Sequence, residues 1–111
     1  STSPKKNMTN KQANGDPFQG TATHATLATS TISAVAGKQH YITDIAASSD
    51  KAGAIVLVKQ GTTTIWQIQL LANDRLDHSF IMPLEGAVGA LVSIEVDGTA
   101  ACKSNIAGFT K

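Results

Sequence analysis

The chain has 111 residues, enough for one domain and too few for two folded ones. Apolar residues make up 41% and charged residues only 15%, so a core is available, but the surface must be built from Ala, Thr, Ser and Gly, a composition suited to packing against neighbouring subunits. A net charge of +1 excludes the broad basic field of a nucleic-acid or membrane-surface binder, and the single cysteine, Cys102, excludes an intrachain disulfide and a thiolate-rich zinc site.

Residues 1–20 hold Lys5, Lys6, Lys11, three asparagines, two prolines and two glycines, with only Met8 and Phe18 as large apolar groups. Such a segment buries too little apolar surface to offset its ordering entropy and is expected to be a flexible arm. Its three lysines all precede the first acid, Asp16, which makes it a cationic tether that either docks on another subunit or frays. The N-terminus lacks the apolar core of a secretory leader, and no run approaches the roughly 20 apolar residues of a bilayer span, so synthesis in the cytosol is expected.

From residue 21 to 111 the text changes to β-branched residues and alanines in period-2 alternation, punctuated by turn signals about every ten residues, the pattern of an all-β sandwich or barrel. Residues 21–31 read as a Thr/Ala-rich edge strand. Residues 39–47 follow, with Tyr41, Thr43 and Ile45 on one face and His40, Ile42 and Asp44 on the other. The run Ile55, Val56, Leu57, Val58 suits a strand covered on both sides. Lys59-Gln60-Gly61-Thr62 reads as a hairpin turn into residues 62–71, where Trp66, Ile68 and Leu70 point inward. Phe80, Met82 and Leu84 share a face in the next strand, which Pro83 either demotes to an edge or ends. After a turn at residues 85–89, Ala90, Val92, Ile94 and Val96 define a half-buried strand, and residues 104–110 supply the last, with Ile106 and Phe109. No segment carries a capped 3.6-residue period, so no long helix is expected. Binding is expected at the loop clusters on the two ends of the sandwich, or along an exposed edge.

Chemistry-bearing residues are sparse. Asp77, His78 and Ser79 include the residue types of a nucleophilic triad, but adjacent residues of an extended chain point to opposite faces and cannot form the relay. His24, His40 and His78 lie on separate segments without ligand spacing, and surface or interface positions are expected for them. Cys102 reads as a small buried hydrophobe. Glu95 and Asp97 share an outward strand face, and with Glu85 they do not make the facing carboxylate pair of a glycosidase. No phosphate-binding glycine loop is present. Trp66, Tyr41 and three phenylalanines are too few for a nucleic-acid stacking platform; Trp66 reads as core, with a sugar-stacking role as the alternative. The expected protein is not an enzyme and holds no cofactor or metal.

Three stretches carry a resemblance: residues 36–45 (AGKQHYITDI), the hairpin of residues 55–66 (IVLVKQGTTTIW) and the closing Gly108-Phe109-Thr110. Their order is similar to phage reading frames in which a GKxHYIT strand, a DGTTTI hairpin and a terminal GYT strand recur; here Lys59-Gln60-Gly61 replaces the acidic turn and Phe109 the tyrosine. Over residues 30–110 the chain resembles small tailed-phage β-sandwich virion proteins of the capsid decoration or cement type. The resemblance implies a small antiparallel β-sandwich, jelly-roll-like, with an extended N-terminal arm. It also implies a structural role, in which homotrimers on the outer capsid surface clamp neighbouring copies of the major capsid protein and contact neither nucleic acid nor membrane. Lys5, Lys6, Lys11 and Phe18 are the arm residues expected to touch that partner. A phage neck, tail or head-fibre component and a carbohydrate-binding attachment module are the alternative functions.

Overall fold

The computed structural model describes residues 15–111, which form eight β-strands and no helix. They are β1 (Asp16–His24), β2 (Leu27–Ile32), β3 (His40–Ser49), β4 (Ile55–Gln60), β5 (Thr63–Gln69), β6 (Arg75–Glu85), β7 (Val92–Asp97) and β8 (Cys102–Thr110). Two antiparallel four-stranded sheets result, ordered β1-β8-β3-β6 and β2-β7-β4-β5. The pairs β4–β5, β3–β6, β2–β7 and β1–β8 are all antiparallel neighbours, so the chain is one long ribbon folded back at the β4–β5 turn and wrapped into two layers. That strand order is the jelly roll's, and the all-β sandwich expected from alternation is the fold observed.

Alternation fixes what the two layers bury. Val56, Val58, Val92, Ile94 and Val96 of one sheet and Ile42, Ile45, Ala47, Cys102 and Ile106 of the other are all at most 3% exposed. Each fully buried Val or Ile stabilises the fold by roughly 1.5–3 kcal/mol. Polar groups inside are paired: Ser30 Oγ donates to the Ser104 carbonyl at 2.9 Å, which leaves the Ser104 hydroxyl to donate to Ser30 Oγ at 3.0 Å.

The sandwich begins earlier in the chain than composition indicates. β1 begins at Asp16, opposite Thr110, and stays in register with β8 to His24, opposite Cys102, so residues 15–20 belong to the sandwich. A polar edge strand needs only one packed face and one ladder: Phe18 and Ala22 lie against the core, and Gly20 admits Ile106 and Ile32 to 3.3 Å of where a Cβ would stand. Phe18 is therefore not a free anchor on a tether. Its ring meets His40 edge-on at 5.4 Å. Lys5, Lys6 and Lys11 lie outside the described residues.

Other departures follow from bulges and edges. Residues 21–31 are not one strand but the end of β1 and most of β2, which belong to different sheets and turn at residues 25–26. His24 Nδ1 accepts the N–H groups of Thr26 and Leu27 and fixes that corner. In β3 the register slips between Ile42 and Asp44, so Ile45 and Ala47 join His40 and Ile42 on the inner face instead of alternating away. Gly108 lies opposite Ile42 at this slip, where an added Cβ would strike the Tyr41 carbonyl oxygen. On the partner strand Leu84 pairs with Ile42 and Ser79 with Asp44, so residues 80–83 bulge opposite one residue of β3; Phe80 and Leu84 pack against the core while Met82 is 81% exposed, and the three do not share a face. Pro83 does sit on an edge strand. β4 is covered on one face only, since Ile55 remains 45% exposed.

Candidate interaction surface

The ends of the sandwich differ in chemistry. At one end, loop residues 50–54 and 98–101 are tied by charge. Asp50 accepts the N–H groups of Thr99 and Ala100 at 2.9 Å, and these bonds, Thr99's foremost, hold its carboxyl below the usual range. Asp97 is held low by the hydrogen bond from Lys51 and by the Ile55 N–H at 2.8 Å. On the neighbouring sheet face Glu95 pairs with Lys59 at 3.0 Å. Of the acids that suggest a glycosidase, Asp97 is thus occupied as a loop tie and Glu95 as a strand tie.

The opposite end is apolar. Residues 33–39 and 86–91 carry one charged side chain, Lys38, and present Val35, Val88 and Leu91 at 42%, 62% and 37% exposure. Backbone bonds hold them: Lys38 N–H donates to Val35 O, Gly89 N–H to Lys38 O and Gly61 N–H to Leu91 O, between 2.8 and 3.1 Å. Gln60 Oε1 accepts the Ala87 N–H at 2.8 Å, which ties the β4–β5 turn to the same cluster. His40 anchors it from below. Its Nε2 donates to the Ser33 carbonyl, 2.8 Å away, and its Nδ1 is hydrogen-bonded to the Thr110 hydroxyl at 2.7 Å. Here the expectation of a surface histidine is corrected: His40 is 1% exposed. Both ends of the described chain come to this end, with Gly15 packed beside Thr110 and Lys111, and Tyr41 stacked on Phe109 at 5.0 Å.

The remaining sequence candidates do not converge. Among the described residues, no group of three His, Cys, Asp or Glu is placed to hold a metal. Ser79 donates to Asp44, which with the Thr43 hydroxyl lowers that carboxyl's pKa, while His78 faces the other way and stacks on Trp66 at 5.4 Å. The three triad residue types therefore lie back to back. Asp44, Asp77, Ser79, Gln19 and Asn105 rim an open furrow of about 260 Å³ across β1, β8, β3 and β6, floored by Ala46 and Ala107. Cys102 is buried, its thiol donating to the His24 carbonyl at 3.2 Å. Trp66 is half-buried, with Phe80 edge-on at 5.5 Å. No helix among the described residues is long and apolar enough to cross a membrane.

Sequence reasoning passes over the apolar end because its loops are assigned from glycine alone. The available signal is that Ala34-Val35-Ala36 and Ala87-Val88 are apolar where loops are ordinarily polar. No protein-family model matches the chain, and no curated protein matches it.

Proposed function

We propose that this chain is a non-enzymatic virion structural protein, a decoration or cement protein that seats its apolar loop end on the outer surface of a capsid and stabilises the shell. The observation that carries the reading is the coincidence, at one end of a jelly roll, of apolar loops whose one charged side chain is Lys38 and of Gly15, where the described residues begin. A rigid end with Val35, Val88 and Leu91 supplies apolar area against the major capsid protein. Lys5, Lys6 and Lys11 then reach an adjacent capsid subunit from the same end, so that one molecule bridges two. Many copies per particle, arranged as homotrimers, make weak single contacts sufficient. The net charge of +1 and the ties that occupy the acids support a partner that is protein rather than nucleic acid, membrane or substrate. Folds alone do not assign functions, since jelly rolls also serve as lectins, which is why the reading stands on the end surface.

The test is co-sedimentation with purified particles of the parent virus. Val35→Asp combined with Val88→Asp is expected to lower occupancy at least tenfold, and particles stripped of the protein are expected to break at lower temperature. Unchanged occupancy in that double variant rejects the seating.

A further inference from the structure

The flank between β5 and β6 differs from every other side of the molecule. On the opposite flank the sheets are closed by the β1–β2 corner, by Gly20 between Ile106 and Ile32, and by the bond from Ser30 to Ser104. Here β5 ends one sheet and β6 ends the other, and the space between is filled by three rings: Trp66 with His78 at 5.4 Å, Trp66 with Phe80 at 5.5 Å and His78 with Phe80 at 4.6 Å. Ile68 is 40% exposed beside them, Met82 81%, and Ile81 fully.

β5 also lacks the usual protection of an edge. Natural edge strands carry lysine, proline or inward charge that blocks pairing with another chain. β5, Thr-Thr-Ile-Trp-Gln-Ile-Gln, has none of these, and among the described strands it pairs only with β4. Its outer row of N–H and C=O groups is open among the described residues. Such a segment, β-prone and uncharged, is an aggregation hazard unless the native assembly covers it.

We infer that this flank is where copies of this chain meet. Near a symmetry axis each residue approaches its own image, so any charge there would face a like charge. Neither β5 nor residues 78–84 of β6 carries a formal charge, whereas both outer sheet faces and the far end do. A site for a charged partner would carry the complementary charge; this surface complements itself. Only the expected number of copies, three, rests on the decoration reading.

Trp66, the one tryptophan, sits in the proposed contact and reports on it. The full chain is expected to sediment as a closed oligomer whose Trp66 emission shifts to the red on dilution. Ile81→Glu and Ile68→Glu are each expected to sediment at the 11.5 kDa of one chain, with red-shifted emission and an unchanged far-ultraviolet strand spectrum. Ile81 is fully exposed, so that variant removes no core contact and keeps the test independent of folding. Thr21→Glu, outward on β1, is expected to leave the oligomer intact. An oligomer that both variants leave unchanged overturns the assigned flank while sparing the decoration reading. A full chain that remains monomeric up to millimolar concentration overturns the contact and the trimer together. If that monomeric full chain still binds particles through Val35 and Val88, the contact and the trimer fall while the seating of the apolar end stands.

Discussion

His40 shows how one side chain couples the core to the apolar loop end. Its ring is buried under Phe18, and its two nitrogens engage a loop carbonyl and the last strand's hydroxyl. His40→Leu keeps the volume but strands the Thr110 hydroxyl, which is 7% exposed; the Ser33 carbonyl can turn to water because Ser33 is on the surface. We therefore expect a loss of about 1–3 kcal/mol in urea unfolding, the desolvation cost of one buried polar group. The aspartates act at the far end and on the outer face. Asp44, Asp50 and Asp97 all have folded pKa values below the unfolded value of about 3.9. Their contribution to stability is complete above that value and lost as pH falls through the lowered ones. Melting temperature is thus expected to be flat with respect to these groups above about pH 5 and to fall below about pH 4. Asp97→Asn should flatten part of that fall in calorimetric scans, and an unchanged acid limb would remove Asp97 from the account.

At the scale of elements, the sequence was legible wherever alternation ran unbroken. Val92, Ile94 and Val96 are buried as read, and the β4–β5 turn falls at Gly61, whose φ of +56° suits the residue without a Cβ. It was illegible at the bulges, because a slip between Ile42 and Asp44 reverses the phase of every later residue without changing composition. β1 was hidden differently: Gln19, Thr21 and Thr23 face outward and Gly20 faces in, so ladder bonds to β8 and a single ring, Phe18, do the work that hydrophobicity does elsewhere. The apolar loop end was illegible for another reason: turn glycines mark its loops, and Val35, Val88 and Leu91 carry no periodic pattern that separates exposed from buried apolar groups. Two truncations separate these readings. Removing residues 1–20 deletes five β1–β8 pairings, Asp16 through Gly20, together with the Phe18 contact. Relative to removal of residues 1–14, it is expected to cost at least about 3 kcal/mol, the scale of losing a large aromatic from a core, in paired urea titrations. Equal midpoints would return residues 15–20 to the arm.

For the whole molecule, the ribbon topology orders the closure costs. The β4–β5 pair closes across two residues, whereas β1 and β8 come together only when nearly the entire domain has been gathered between them. Loop-closure entropy therefore favours a transition state built from the inner pairs, with β1–β8 docking late, and non-local pairing of this kind implies refolding in milliseconds to seconds. Trp66 lies in β5 and gives the kinetic signal. Gly61→Ala meets no neighbour within 4 Å, so its cost is backbone conformation alone, about 1 kcal/mol. If the turn is formed at the barrier, that cost appears as folding slowed about fivefold, with the unfolding rate nearly unchanged. Phe18→Ala is expected to do the reverse, speeding unfolding while folding keeps its rate. The opposite partition, with Phe18 controlling folding and Gly61 controlling unfolding, would mean that the termini pair first and the ribbon closes from its open ends toward the turn.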